Sequence, residues 1–239
     1  MRLFAQNPGA GRRRLSAWLL AVVLAGASPL AGAGAYEEFF DAIQRDEGGK
    51  VQTLILRGIN TNSADRKLGP AIVLAAREKA WSALKALLLS PATDVNVRNA
   101  NGETALMYAS LNGELEIARL LVSRGAQVNH PGWTPLHYAA SAGQLSVVQW
   151  LLEQSAYIDA ASENGTTPLM LAARQKHTTV AQALVKEGAD PSLRNQAGLT
   201  AADYFARNGE PEQADWMRAR ADDFTRKYGT REQPVPARR

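Results

Sequence analysis

Hydrophobic residues recur along the chain with helical spacing, in short clusters that polar, glycine-containing turns separate. In the clearest segment Leu136, Ala139 and Ala140 fit one face of a short helix. Val147 and Leu151 fit one face of a second helix that follows it. This pattern predicts a pair of short helices rather than strands.

The ends of these helices are marked by particular residues. Thr134 is suited to the N-cap, where its hydroxyl can accept a first-turn amide, and Pro135 is suited to the first helical position. Gly143 is expected to adopt a left-handed conformation and end the first helix, and Gly125 and Gly188 end second helices in the same way. One such pair cannot bury its apolar face alone, so neighbouring pairs must cover it.

The helix pair is repeated along the chain. The glycines that precede four of the first helices are Gly102, Gly132, Gly165 and Gly198, which are spaced 30, 33 and 33 residues apart. Gly69 lies 33 residues before Gly102. A period of this length is typical of stacked repeat proteins with a continuous core.

The repeated segments resemble the ankyrin repeat. Thr134–Ala140 reads TPLHYAA and Thr167–Ala173 reads TPLMLAA, while GAQVN at residues 125–129 and GADP at residues 188–191 match the end of the family pattern. The resemblance implies an all-α solenoid of stacked helix-turn-helix units with short hairpin loops. It also implies that partners contact the hairpin tips and the exposed, concave face of the first helices.

The domain organisation follows from this register. We predict a secretory signal peptide (residues 1–35) and a degenerate N-terminal capping repeat (36–68). Four ankyrin repeats follow (69–101, 102–131, 132–164 and 165–197). The chain ends with a C-terminal capping repeat (198–223) and a disordered basic tail (224–239). Two departures from the pattern stand out. The hairpin between Asn129 and Gly132 is three residues short, and Ser155 replaces a glycine that ends a second helix.

The N-terminal segment has the layout of a secretory signal peptide. Three arginines, Arg12–Arg14, precede an apolar run of 13 residues that ends at Ala27, and small residues follow up to Ala35. We expect cleavage near Ala35 and a periplasmic protein. An uncleaved N-terminal anchor is the alternative. The consecutive arginines leave open whether export uses the twin-arginine route or the general secretory (Sec) route.

The basic charge of the chain is concentrated at its two ends. The chain carries a net charge of +4. The first 35 residues have a net charge of +4, and residues 224–239, with 5 basic and 1 acidic residue, also have a net charge of +4. Residues 36–223 hold 18 basic and 22 acidic residues, a net charge of −4. Because nucleic-acid binding needs concentrated positive charge, we expect no nucleic-acid partner. We also expect no stable membrane insertion after signal cleavage, and a monomer.

The composition restricts the chemistry. The chain has no cysteine and three histidines, which excludes thiolate chemistry and disfavours a metal site, and the sequence shows no P-loop, dinucleotide fingerprint or Ser-His-Asp arrangement. We therefore expect no cofactor, no metal and no enzymatic activity. The family resemblance assigns His137 to hydrogen bonds within and between repeats. His130, in the short hairpin, has no assigned role.

The candidate partner-binding residues come from the family's contact positions. They lie at hairpin tips and on the exposed face of the first helices: Asn101, Glu103, Leu111, Asn112, Trp133, Ser141, Thr166, Arg174, Gln175 and Arg207. Aromatic residues are frequent interface hot spots, and the repeat itself does not require Trp133. The indole either contacts a partner or folds down over the short hairpin.

The function expected from these features is binding of a protein partner in the periplasm. A narrower alternative is an inhibitor, an immunity protein or a protector of a periplasmic enzyme, for example in stress defence. A remote alternative is an enzyme with a site in the concave groove.

Overall fold

The computed structural model describes residues 33–229, and within them the chain forms pairs of antiparallel helices. The elements, numbered in chain order, are α1 (Ala33–Gln44), α2 (Gly48–Leu56), β1 (Ala64–Asp65), β2 (Gly69–Pro70), α3 (Ala71–Arg77), α4 (Trp81–Leu88), α5 (Ala105–Leu111), α6 (Leu115–Ser123), α7 (Pro135–Ser141), α8 (Leu145–Glu153), α9 (Pro168–Arg174), α10 (Thr178–Lys186), α11 (Ala201–Arg207) and α12 (Pro211–Tyr228). Over the described residues this is the all-α solenoid of stacked helix pairs that the sequence predicts. The two short strands pair antiparallel, Ala64 with Pro70 and Asp65 with Gly69.

The odd-numbered helices form one row of the stack and the even-numbered helices form the other. Each helix of the first row packs on the next, from α1 against α3 through to α9 against α11. Alanines at the contact positions allow this close approach: Ala139 and Ala140 in α7 and Ala172 and Ala173 in α9 are fully buried. A single hydrophobic core therefore runs from the first described repeat to the last.

The first helices begin and end largely as the sequence predicts. The Thr167 and Thr200 hydroxyls accept the amides of Met170 at 3.3 Å and Asp203 at 3.2 Å. Thr134 forms a capping box with His137, and its hydroxyl also lies 2.9 Å from Nδ1 of that ring. Gly143 has a φ of 73°, the left-handed turn expected of it.

Four described positions adopt the glycine-type turn without glycine, and two of them, Asp46 and Lys79, follow α1 and α3 with φ values of 55° and 59°. Ser155 has a φ of 62° after α8, and Lys176 has a φ of 60° after α9. A side chain in this region is strained by about 1 kcal/mol or more. The buried residues of α8 and α9, the helices that precede the turns at Ser155 and Lys176, hold these two turns in place.

The last helix is longer than predicted. The sequence prediction ends the C-terminal capping repeat at residue 223 and begins a disordered tail at residue 224, but α12 continues to Tyr228. Asp223 lies within ion-pair distance of Arg220 and Arg226, pairs that favour helix over coil here. The predicted tail boundary is therefore wrong by five residues, and residues 230–239 lie outside the described part.

The predicted signal peptide falls almost entirely outside the described residues. Its last three residues, Ala33–Ala35, form the start of α1. In the described part of the chain, no helix combines the length and the apolar character needed to cross a membrane.

Candidate functional site

The candidate site is a patch on the exposed side of the first-helix row, defined here as Glu103, Tyr108, Leu111, Trp133 and Tyr138 and called the inner-face patch. Glu103 and Trp133 each directly precede the threonine that begins a first helix. Tyr108 and Tyr138 each lie four residues after that threonine, one helical turn into α5 and α7. Because α5 packs directly on α7, the repeat brings equivalent positions of both helices side by side.

The Glu103 carboxylate joins the two helices through hydrogen bonds. The Tyr108 hydroxyl donates to Oε2 at 2.5 Å, and the Tyr138 hydroxyl of the next repeat donates to Oε1 at 2.9 Å. Nδ2 of Asn99 donates to Oε2 at 2.8 Å. Burial tends to raise the pKa of this carboxyl, but these hydrogen bonds outweigh burial and leave the pKa of Glu103 below its ordinary value. The site therefore carries a fixed negative charge at neutral pH.

Both tyrosines keep their protons under the same influence. Burial, followed by the hydrogen bond to Glu103, raises the pKa of Tyr108 to about 12 and also raises the pKa of Tyr138. The two rings pack with centroids 6.5 Å apart. Neither phenol can serve as a general base near neutral pH, so both hydroxyls remain hydrogen-bond donors to Glu103.

Trp133 lies at the edge of this cluster, where it is packed on its own repeat and partly exposed. Its ring packs edge-on against Tyr138, with centroids 6.0 Å apart, and against the ring of His137 at 5.4 Å. The indole therefore does fold onto the first turn of α7. It still exposes 36% of its surface, which leaves a rigid aromatic surface available for contact.

His137 holds adjacent repeats together from inside the stack. Its Nε2 donates to the Thr166 carbonyl of the next repeat at 3.0 Å, and its Nδ1 accepts the Thr134 N–H at 3.2 Å. Burial is the main reason why the pKa of His137 falls to about 4. The neutral ring has the role within and between repeats that the family resemblance implies.

The other predicted contact residues fall into three groups. Asn101, Arg174, Gln175 and Arg207 are exposed, and Leu111, Asn112, Glu103 and Ser141 are half-buried. Thr166 is only 3% exposed, and its carbonyl accepts hydrogen bonds from Ser162 and His137. The prediction that the Thr166 side chain contacts a partner is therefore wrong in this structure.

The short hairpin forms a separate cleft. It has a volume of about 440 Å³ and is lined by Asn129, His130, Pro131, Gly132, Tyr157, Ala160 and Ala161. His130 approaches the Pro131 carbonyl through Nδ1 at 3.2 Å. In the part of the chain that the structure describes, no group of three or more acidic or histidine side chains could hold a metal.

Sequence reasoning did not assign Tyr108 and Tyr138 to the site. Their shared position, four residues after Thr104 and Thr134, was a signal that could have identified them, because equivalent positions of stacked repeats lie on one face. Nothing in the sequence indicated that both hydroxyls converge on Glu103.

Comparison with known families decides what kind of repeat this is. The family described as "Ankyrin repeats (3 copies)" matches residues 72–162, and the family described as "Ankyrin repeat" matches residues 164–196. The chain belongs to the ankyrin repeat family. Ankyrin repeats mediate binding between proteins, and that general role therefore applies to this chain.

Several characterised ankyrin repeat proteins are similar to it. B-cell lymphoma 3 protein homolog of Mus musculus is 34% identical over 152 residues, which cover 61% of this chain and 34% of that protein. The nuclear factor NF-kappa-B p105 subunit of Gallus gallus is 32% identical over 152 residues, 61% of this chain and 16% of that protein. Protein fem-1 homolog A-like of Mus musculus is 36% identical over 108 residues, 44% of this chain and 16% of that protein. The chain spans about a third or less of the length of these relatives.

Proposed function

We propose that this chain is a non-enzymatic module that binds one protein partner in the periplasm, through the inner-face patch and the neighbouring hairpin tips. The observation that carries the proposal is the state of Trp133, which is fixed by two ring contacts yet exposes a third of its surface. An anchor that is rigid before binding loses little conformational entropy when a partner covers it.

The polar part of the patch is also prepared for contact. Glu103 is held by hydrogen bonds from two repeats, so its carboxylate needs no rearrangement to meet a partner. Leu111 adds half-buried apolar surface at the C-terminal end of α5. A complex centred here would bury roughly 1,600 Å² in total if it has the usual size for a specific interface.

The location in the periplasm rests on the sequence alone. The arginine cluster, the apolar run and the small residues before Tyr36 support export through a cleaved signal peptide. Cell fractionation followed by N-terminal sequencing of the purified protein tests this part. A new N-terminus near Tyr36 in the periplasmic fraction is expected, and full-length protein retained in the cytoplasm would contradict it.

Affinity capture from periplasmic extract tests the binding surface. We expect the tagged protein to recover one stoichiometric partner, and Trp133→Ala and Leu111→Ala to reduce its recovery by about tenfold or more. Tyr228→Ala and Leu89→Ala are matched controls, because these residues are exposed on α12 and after α4, away from the patch. Equal recovery by all four variants would contradict the proposal.

A further inference from the structure

The inner-face patch combines an open aromatic ring with negative charge. Glu103, in the repeat before Trp133, is joined to it through Tyr138. Glu163, in the repeat after it, lies beside the neighbouring residue Gly132, where a Cβ added to the glycine would be 2.5 Å from Oε1. The repeats on both sides of Trp133 therefore each bring one carboxylate to this part of the surface.

Within the described residues no cation is paired with either carboxylate, and Arg77, whose charge acts on Tyr108, is paired with Glu78. Neither Glu103 nor Glu163 is in an ion pair there, although eight ion-pair contacts occur elsewhere among those residues. The buried indole of Trp150 in α8 shows the contrast. Arg119 lies over the ring of Trp150 at 5.9 Å, whereas no described cation lies over Trp133.

The flat indole and the nearby carboxylates are complementary in shape and charge to a cationic, planar group. A guanidinium can stack on an indole face and pair with a carboxylate at the same time, which an ammonium does less well. Hydrogen bonds from Tyr108, Tyr138 and Asn99 fix the position of the Glu103 charge. A fixed charge favours a ligand of matching geometry over a merely basic one.

We propose that the inner-face patch recognises an arginine side chain of the partner protein, stacked on Trp133 and paired with the Glu103 and Glu163 carboxylates. This inference rests on the proposed function and adds the chemistry of the partner to it. Arg174 and Arg207 are exposed on later first helices, so a uniformly basic segment would be repelled there. The partner is therefore expected to present a single arginine rather than a polybasic run.

Selection from a random displayed peptide library, using the purified full chain as the target, tests the inference without knowledge of the partner. We expect enriched peptides to share one arginine. In the synthetic peptide, replacing that arginine by citrulline, which keeps the planar shape and removes the charge, should weaken binding by about tenfold, and lysine should restore only part of it.

Protein variants locate the effect. Glu103→Gln and Trp133→Ala should each weaken binding of the arginine peptide and reduce its preference over the citrulline peptide. Glu153→Gln is the matched control, because this exposed acid lies at the end of α8 in the other helix row. Thermal unfolding of each variant shows whether the fold is kept. Glu163→Gln replaces the second, exposed carboxylate and leaves the hydrogen bonds of Tyr108 and Tyr138 to Glu103 intact, and it should also weaken binding of the arginine peptide.

The outcomes separate the two proposals. Peptides that need Trp133 but contain no arginine, or tolerate citrulline, would overturn the arginine inference and leave the binding surface standing. Peptides that bind Trp133→Ala and Glu103→Gln as well as they bind the unchanged protein would count against both proposals. Failure to enrich any peptide over a blank surface would also count against both.

Discussion

Acidification should destabilise the stack through His137, and the structure gives the size of the effect. The imidazole is buried and neutral, because its Nδ1 accepts from Thr134 and its Nε2 donates to Thr166. Burial, the largest cause, lowers the pKa of His137 from 6.5 to about 4, and Glu163 and the Thr166 carbonyl oppose this only in part. The unfolded chain therefore binds the proton more tightly than the folded chain does.

The sign and the pH range follow from this difference. The contribution of His137 to stability is fully present above about pH 6.5 and is lost as the pH falls toward about 4. At about 1.4 kcal/mol for each tenfold difference in proton affinity, the complete loss amounts to roughly 3 kcal/mol. Between about pH 7 and pH 5, the loss amounts to roughly 2 kcal/mol.

Urea unfolding at a series of pH values measures this loss directly. The free energy of unfolding should fall by about 2 kcal/mol between pH 7 and pH 5, equivalent to a melting temperature about 4–8 °C lower. His137→Gln keeps a donor and an acceptor without a titrating ring, so it should be less stable at pH 7 but lose much less on acidification. Parallel pH dependence of the two proteins would refute the reasoning, because the loss would then come from other groups.

Three further substitutions test separate parts of the fold by urea unfolding at neutral pH. Leu151→Ala should cost about 2–5 kcal/mol, because this side chain is fully buried in the continuous core, and a loss below 1 kcal/mol would show that the repeats do not share that core. Arg124→Met should cost about 1–3 kcal/mol, because the guanidinium donates to the carbonyls of Leu88, the last residue of α4, and of Ser90. An unchanged stability would place this arginine in solvent. Ser155→Gly should raise stability by about 1 kcal/mol, because its φ of 62° strains a side chain, and destabilisation would contradict the assigned turn.

The helix boundaries were predictable where one residue decides a backbone conformation. Thr167 and Thr200 begin helices because a hydroxyl there can accept an unpaired amide, and Gly143 ends one because it tolerates a positive φ. These are local effects that a sequence displays. The end of α12 was missed, although Gly229, with a φ of 78°, marks it by the same rule.

The site was only partly predictable because its geometry depends on contacts between repeats. Trp133 and Glu103 were identified as surface residues at hairpin tips. The bonds that turn them into one patch join Glu103 to Tyr138, which lies 35 residues further along the chain. Thr166 occupies the same position in its own repeat but is buried, and its carbonyl accepts a hydrogen bond from His137 of the preceding repeat. Equivalent sequence positions thus differ in exposure when the neighbouring repeat differs.

Position-specific photo-crosslinking in the native host tests most directly the central claim, which is that a partner covers the first-helix face. A benzoylphenylalanine placed at Leu111 or Gln175, on that face, should give a crosslinked band of one constant size that is lost in the Trp133→Ala background. The same probe at Gln149 or Arg119, exposed on the second-helix row, should give none. Crosslinks of equal strength from both rows, or only from the second-helix row, would contradict the account.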